Sequence, residues 1–160
     1  MKIGFDIHGV IDYKPEFFSD LSKLVRKDNN ELHVITGSSI NNKIKDSLEK
    51  WKIDYSYVFS ITDYHVSLGS SIKFDEKGNP WMKNVLWDRT KGDYCKKEKI
   101  DFHIDDSDIY GNYFKTIYCR FYKEREVFKW RYEDKKIGEF LLTEPEFVYG
   151  FIKSIVSNLK

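Results

Sequence analysis

The chain has 160 residues, of which 27 are Lys or Arg and 26 are Asp or Glu, so its formal net charge is +1. This length fits one compact domain and excludes a second large one. A hydrophobic fraction of 41% is enough for a core, whereas no apolar run approaches the ~20 residues of a membrane span. The near-neutral charge carries no electrostatic footprint of nucleic-acid binding, which usually needs a clustered basic face. We expect a single soluble domain with no membrane partner.

The first residues and the two cysteines bear on the cellular compartment. Asp6 stands where a signal peptide would carry its apolar stretch. Cys95 and Cys119 are too few for a disulfide framework, and they are not spaced as a pair of metal ligands. These features predict a cytoplasmic protein with two free thiols.

Apolar periodicity predicts alternating strands and helices in the first part of the chain. Short apolar runs bounded by Gly or polar residues indicate buried strands, and apolar residues spaced by three and four indicate helices. In chain order the predicted elements are a strand over Lys2–Ile7, a helix from Pro15 to Asn29, a strand over Leu32–Thr36, a helix over Ile40–Trp51 and a strand over Tyr57–Ile61.

The alternation continues towards the C-terminus. We predict a short helix beginning near Lys91, a strand over Ile100–Ile104, a strand over Thr116–Tyr122 and a helix after Pro145. Thr143 and Glu146 have the capping-box spacing that marks the start of this last helix. Strands that alternate with helices through short turns predict an α/β fold, with three layers around a mostly parallel five-stranded sheet.

Two stretches do not follow the alternation. Within residues 62–86, the segment Ile72–Trp81 predicts a small hairpin with a Gly-Asn turn. Val127–Tyr132 is a candidate for a further strand ahead of a last apolar run, Phe140–Leu142. We assign residues 1–160 to a single domain and 62–86 to a small cap or hairpin insert.

Polar residues gather around the ends of three predicted strands. They are Asp6, His8 and Gly9 after the first strand, Thr36 and Gly37 at the end of the second, Lys91 in the helix before the fourth, and Asp105 and Asp106 at the end of the fourth. The carboxyl ends of parallel strands meet at one edge of a sheet, where ligands bind. We therefore expect two acidic strand ends, a hydroxyl and an ammonium to face one point.

This set of groups suits phosphoryl transfer assisted by a divalent cation. Carboxylates from two strands would bind Mg²⁺, which prefers oxygen ligands. Lys91 and Thr36 would hold phosphate oxygens, and a carboxylate would attack phosphorus to form an aspartyl phosphate. Acyl transfer is disfavoured, because no Ser or Cys lies in a recognisable nucleophile elbow. The sequence also has no Gly-rich phosphate loop of the Walker type.

Four segments resemble the motifs of the haloacid dehalogenase (HAD) superfamily. Phe5–Asp12 resembles the first motif, in which hydrophobic residues precede Asp-x-Asp-Gly-Val/Thr, and Val34–Ser38 resembles the second. Lys91–Cys95 followed by Ile100–Asp106 resembles the third and fourth motifs in their Lys-helix-strand-Asp-Asp form. The resemblance extends from Met1 to about residue 119 with the motifs in the correct order.

The resemblance implies a Rossmann-like HAD core with a small cap or none, and a phosphatase activity. It implies Asp6 as the nucleophile, Thr36, Gly37 and Lys91 as phosphate-binding residues, and Mg²⁺ held by Asp6, the backbone carbonyl of His8, and Asp105 or Asp106. The implied substrate is a phosphomonoester on a small molecule or nucleotide, or on a nucleic-acid end. The Asp-x-x-Gly-Val start and the late Asp pair also resemble deoxyribonucleotidase-type members.

His8 departs from the family pattern, which has a second Asp there as the general acid and base. An imidazole could protonate a leaving alkoxide and later activate water, and we hypothesise that His8 keeps this role. Asp12 could substitute only if its loop folds back. The alternative is a catalytically impaired HAD-like module that binds phosphate or a partner.

A receiver-type signalling domain is another alternative, because it also gathers Asp, Thr or Ser, and Lys around magnesium. Its acidic pair should close the first strand, whereas here Asp105 and Asp106 close the fourth. Thr36 also fits a turn role. His33 and His103 lie inside strands, where core or cross-strand positions are expected.

Candidate substrate contacts lie in the insert or just after it. Trp81, Lys83, Trp87 and Arg89 combine aromatic faces with cations, which suits a nucleotide. Trp81 and Trp87 fit packing roles as well.

Overall fold

The computed structural model describes residues 1–133 and 136–159. Its strands are β1 (Lys2–Phe5), β2 (Glu31–Thr36), β3 (Tyr57–Ser60), β4 (Lys73–Phe74), β5 (Pro80–Trp81), β6 (Phe102–Asp105), β7 (Ile117–Tyr122), β8 (Val127–Tyr132) and β9 (Lys136–Leu141). Its helices are α1 (Pro15–Lys27), α2 (Asn42–Lys50), α3 (Ile61–Ser67), α4 (Asn84–Glu98), α5 (Asp108–Gly111) and α6 (Pro145–Leu159). The predicted α/β class is confirmed.

The main sheet is mixed, with the strand order β3-β2-β1-β6-β7-β8-β9. The neighbouring strands β3, β2, β1, β6 and β7 are parallel, and β8 and β9 continue the sheet in antiparallel pairing. The chain adds β2 and β3 on one side of β1 and then returns to place β6 on the other side. Such a reversal of strand order opens a crevice at the carboxyl ends of the two central strands. A ligand site is therefore expected at the carboxyl ends of β1 and β6.

The sheet has seven strands, whereas the sequence predicts five. The five parallel strands correspond to the predicted ones, β8 confirms the candidate strand over Val127–Tyr132, and β9 is additional. Phe121, Phe128 and Phe140 stack in succession across β7, β8 and β9, with ring centroids 4.7 and 4.9 Å apart. All three rings are buried, so burial of these aromatic side chains stabilises the extension of the sheet.

The segment between β3 and α4 contains more helix than predicted. α3 directly follows β3, and β4 and β5 then form the predicted hairpin, whose turn is held by the Asp75 carboxylate. α4 begins at Asn84, which is about two turns before the predicted start near Lys91. Lys91 therefore lies in the middle of α4, with about two helical turns before it and two after it.

Apolar side chains are buried on both faces of the sheet. α1, α2 and α6 pack on one face in the larger cluster, and α4 packs on the other face in a smaller cluster around Cys95 and Tyr118. Cys95 and Cys119 are both free thiols, and burial raises the pKa of each well above its ordinary value. Among the described residues, no helix is both long and apolar enough to cross a membrane.

Candidate active site

Three carboxylates meet at the carboxyl ends of β1 and β6. Asp6 directly follows β1, and its backbone N–H donates to the carbonyl of Ile104 in β6 at 2.9 Å. Asp105 ends β6 and Asp106 follows it. Oxygens of all three carboxylates lie within 4.8 Å of one another, with Asp6 and Asp105 buried and Asp106 half-buried. The structure thus brings together the acidic strand ends that the sequence predicts.

Lys91 lies between two of these carboxylates. Its ammonium donates to Asp105 Oδ2 at 2.6 Å and lies 3.0 Å from Asp6 Oδ2. It also lies 4.6 Å from the centre of the Tyr110 ring. The side chain is only 1% exposed, so α4 holds this charge in the interior, where it has to be paired.

The charges in this group determine one another's pKa. Burial raises the pKa of Asp6 to about 7, with Lys91 opposing the shift and Asp105 adding to it. Burial alone would also raise the pKa of Asp105, but Lys91 and His103 hold it well below its ordinary value. Burial disfavours the charge on Lys91, but Asp105 and Asp6 raise its pKa above the ordinary value. Lys91 and Asp105 therefore form an ion pair, and Asp6 is the more readily protonated acid.

His103, for which the sequence predicts a core or cross-strand position, also belongs to the site. It is fully buried and stacks on Phe114 with centroids 5.1 Å apart, while its Nε2 lies 3.2 Å from Asp105 Oδ2. Burial lowers the pKa of its imidazole, which favours a neutral ring that donates to Asp105. The sequence signal for this contact is the spacing of His103 and Asp105, because residues two apart in a strand lie on the same face of the sheet.

Gly9 makes room for the third carboxylate. Its φ of +76° is in the left-handed region, and a Cβ there would lie 1.9 Å from Asp106 Oδ2. A side chain at this position would therefore displace Asp106 as well as strain the backbone. The Gly in this turn thus has a direct role in assembling the acidic group.

The loop after β1 does fold back on itself. His8 Nδ1 lies 3.1 Å from Asp12 Oδ2, and the backbone N–H of Gly9 donates to Asp12 Oδ1 at 2.7 Å. The other ring nitrogen, Nε2, lies 3.1 Å from Ser38 Oγ, at the start of the loop after β2. The His8 side chain is 58% exposed, so the ring is oriented by Asp12 and Ser38 while it remains open to solvent.

Thr36 and Gly37 lie at the end of β2, beside β1. Thr36 is fully buried, and its hydroxyl oxygen accepts the Ser38 N–H at 3.2 Å, which is the turn role; its own O–H remains able to donate to a ligand. Trp87 packs against Gly37, where a Cβ would lie 3.0 Å from the indole. Trp87 Nε1 also donates to Tyr110 at 3.0 Å, so this indole helps to enclose the site.

The other candidate contacts in the insert lie further out. Trp81 is 64% exposed in the β4–β5 hairpin. Arg89 forms an ion pair with Asp93 on its own helix at 2.8 Å and lines a groove of about 420 Å³ between α3 and α4. Neither residue is brought to the three carboxylates by a contact in the structure.

The residues present fit a magnesium ion. Three carboxylates lie together and one ammonium contacts two of them, so the group has a formal charge of −2 when all are ionised. A divalent cation would neutralise this charge, and the ligands offered are all oxygens, as Mg²⁺ prefers. Asp6, Asp105 and Asp106 could supply such ligands, and the carbonyl of His8 remains a predicted one.

Comparison of the chain with protein-family models, with curated proteins and with solved structures gives no match.

Proposed function

We propose that this protein is a magnesium-dependent phosphomonoester hydrolase with a Rossmann-like HAD core, acting through an aspartyl phosphate on Asp6. The observation that carries the proposal is the convergence of Asp6, Asp105 and Asp106 at the strand-order reversal, where buried Lys91 contacts two of them. This combination offers a nucleophile, ligands for a hard cation and a fixed positive charge in one place. The motif order along the chain supports the same assignment.

In the proposed first step the Asp6 carboxylate attacks phosphorus, and the bond to the leaving oxygen breaks. Lys91 and the Thr36 hydroxyl hold the phosphate oxygens and oppose the charge that develops on them. His8 gives a proton to the leaving alkoxide. When bound at the three carboxylates, Mg²⁺ would neutralise charge on the phosphoryl group.

In the second step neutral His8 takes a proton from water, which attacks phosphorus and releases phosphate from Asp6. Asp12 contacts Nδ1 of the ring at 3.1 Å and orients it, and Nε2, which lies 3.1 Å from Ser38 Oγ, is the nitrogen that would exchange the proton. The pair has the geometry of an oriented acid and base. This arrangement supports His8 in the role that an Asp has in the HAD pattern.

The test is release of phosphate from a panel containing 5′- and 3′-mononucleotides, oligonucleotides with a terminal phosphate, a sugar phosphate and p-nitrophenyl phosphate. We expect release from at least one compound that stops with EDTA and returns with excess Mg²⁺. Retained Mg²⁺ binding without any release would instead favour the binding module that the His8 substitution suggests.

The role of His8 can be separated from general damage by the choice of leaving group. We expect His8→Ala to lower kcat/KM for an alkyl phosphate by about 10²-fold or more, since general acid catalysis contributes this much. The loss with p-nitrophenyl phosphate should be much smaller, because nitrophenolate leaves without a proton. Asp12→Asn should show the same dependence with a smaller loss.

The control for the His8 experiment is Glu16→Ala, at an exposed position of α1, which should leave kcat/KM for both substrates unchanged. Equal kcat/KM values for His8→Ala and the wild type on the alkyl phosphate would exclude the acid role. A strong gain of activity in His8→Asp, together with no effect of His8→Ala, would show that the position lacks a functional acid and base.

A further inference from the structure

One face of β7, β8 and β9 is left open beside the site. Alternate residues of these strands point away from α6, and Lys129, Ile137 and Glu139 remain exposed on this side. With α5 at one border they line a cleft of about 620 Å³. Three strands spaced by about 5 Å make a surface roughly 10 Å wide, which suits a single extended chain.

Cations gather around the tyrosine rings on this side of the sheet. Three cations lie around the Tyr122 ring, namely Arg120 at 4.1 Å, Arg125 at 4.9 Å and Lys129 at 5.6 Å from its centre. The Arg131 guanidinium lies 5.8 Å from the centre of the Tyr118 ring, which is itself buried. Contacts of this kind hold flexible cations in place and keep their charge available to an anion.

Acids are also present, but they leave a local excess of positive charge. Asp108 pairs with Arg120, and Glu139 lies 3.5 Å from Lys129. These two acids are 70% and 66% exposed, so a ligand phosphate can replace them at low cost. Arg125 and Arg131 have no acid within 4.0 Å in the described part of the chain.

The face is continuous with the candidate active site. Arg120 is paired in register with Asp105, and its Nε donates to the backbone carbonyl of Asp106 at 3.2 Å. The turn after β7 is attached to the loop after β1, because Lys14 binds Glu126 at 2.9 Å. Arg120 therefore connects one edge of the face to the strand end that bears Asp105 and Asp106.

We propose that this open face binds single-stranded nucleic acid and presents its terminal phosphate to the carboxylates. The cations match the repeating phosphates of a strand, and the partly exposed Tyr122 ring with the flat guanidinium groups over it offers planar surfaces on which bases stack. An acidic peptide would use the cations but not these planar surfaces. Binding of the nucleic acid does not depend on phosphatase activity, whereas delivery of its terminal phosphate rests on the proposed function.

The test is fluorescence anisotropy of a 12-nucleotide single strand, labelled at one end and phosphorylated at the other, in EDTA so that no turnover occurs. The variant is Arg125→Gln/Arg131→Gln. The control, Lys43→Gln/Lys45→Gln on α2, changes the net charge by the same amount. We expect the variant to bind about tenfold more weakly or worse at 50 mM salt, with a salt slope shallower by about 1.4. The control should bind within about twofold of the wild type.

Equal affinity of the variant and the control would overturn the proposal. It would also be overturned if the wild type bound a poly-glutamate peptide or anionic vesicles but not the oligonucleotide. Turnover of p-nitrophenyl phosphate should be the same in the variant and the wild type, which shows that the site is intact. If the wild type had no phosphatase activity, the anisotropy result would still decide the binding proposal.

Discussion

Asp6→Asn is expected to reduce phosphate release by about 10³-fold or more while the protein stays folded. The amide has the shape of the carboxylate but cannot form the phosphoryl ester, and loss of a nucleophile removes most of the chemical acceleration. The measurement is kcat on the best substrate of the panel, with Mg²⁺ in excess. Full activity in this variant would exclude the aspartyl-phosphate mechanism.

The folding of Asp6→Asn can be predicted from the charges around it. Burial already disfavours the ionised form of Asp6, whose pKa is raised to about 7, so a neutral amide is tolerated there. Lys91 keeps its 2.6 Å contact with Asp105. We expect a small change in Tm, and Asp93→Asn on α4 is the matched control that should leave both kcat and Tm unchanged.

Lys91→Met is expected to have the largest effect on stability. The variant leaves Asp6 and Asp105 buried without their shared cation, and removing one partner of a buried ion pair costs about 3–5 kcal/mol. The measurement is the free energy of unfolding by urea in EDTA. Lys96→Met, at an exposed position of α4, should change it by less than about 0.5 kcal/mol.

Magnesium should restore part of this loss. Without the ammonium the three carboxylates have a larger negative charge, so Mg²⁺ should stabilise Lys91→Met more than it stabilises the wild type. Activity should not return, since the phosphate has lost its fixed cation. An unchanged free energy of unfolding in EDTA would contradict the role of Lys91 as the charge that balances Asp6 and Asp105.

Local sequence pattern predicted the parallel core well. Short apolar runs and amphipathic segments locate β1, α1, β2, α2 and β3, and the predicted elements lie within a few residues of those in the structure. The hairpin at residues 73–81 was also predicted, because its turn depends on Asp75 and Gly78 within the segment itself. Such features depend on neighbours in the chain, which a sequence displays directly.

Features that depend on distant partners were missed or left open. Val127–Tyr132, which the sequence left as a candidate strand, pairs with β7 and β9, and Phe128 packs between Phe121 and Phe140. The helix around Lys91 begins earlier than its local signals indicate, since tertiary packing outweighs propensity. The fold-back of Asp12 onto His8 depends on the Gly9 turn, whose left-handed φ a sequence suggests only weakly.

The sequence by itself determined the α/β class, the order of the strands along the chain and the identity of the acids at the strand ends. These follow from periodicities of two and 3.6 residues and from where apolar runs stop. Only the tertiary structure decided that Lys91 bridges Asp6 and Asp105, that His103 contacts Asp105, and that cations and tyrosines share one open face. Each of these depends on which strands become neighbours, and that is decided by burial of side chains far apart in the chain.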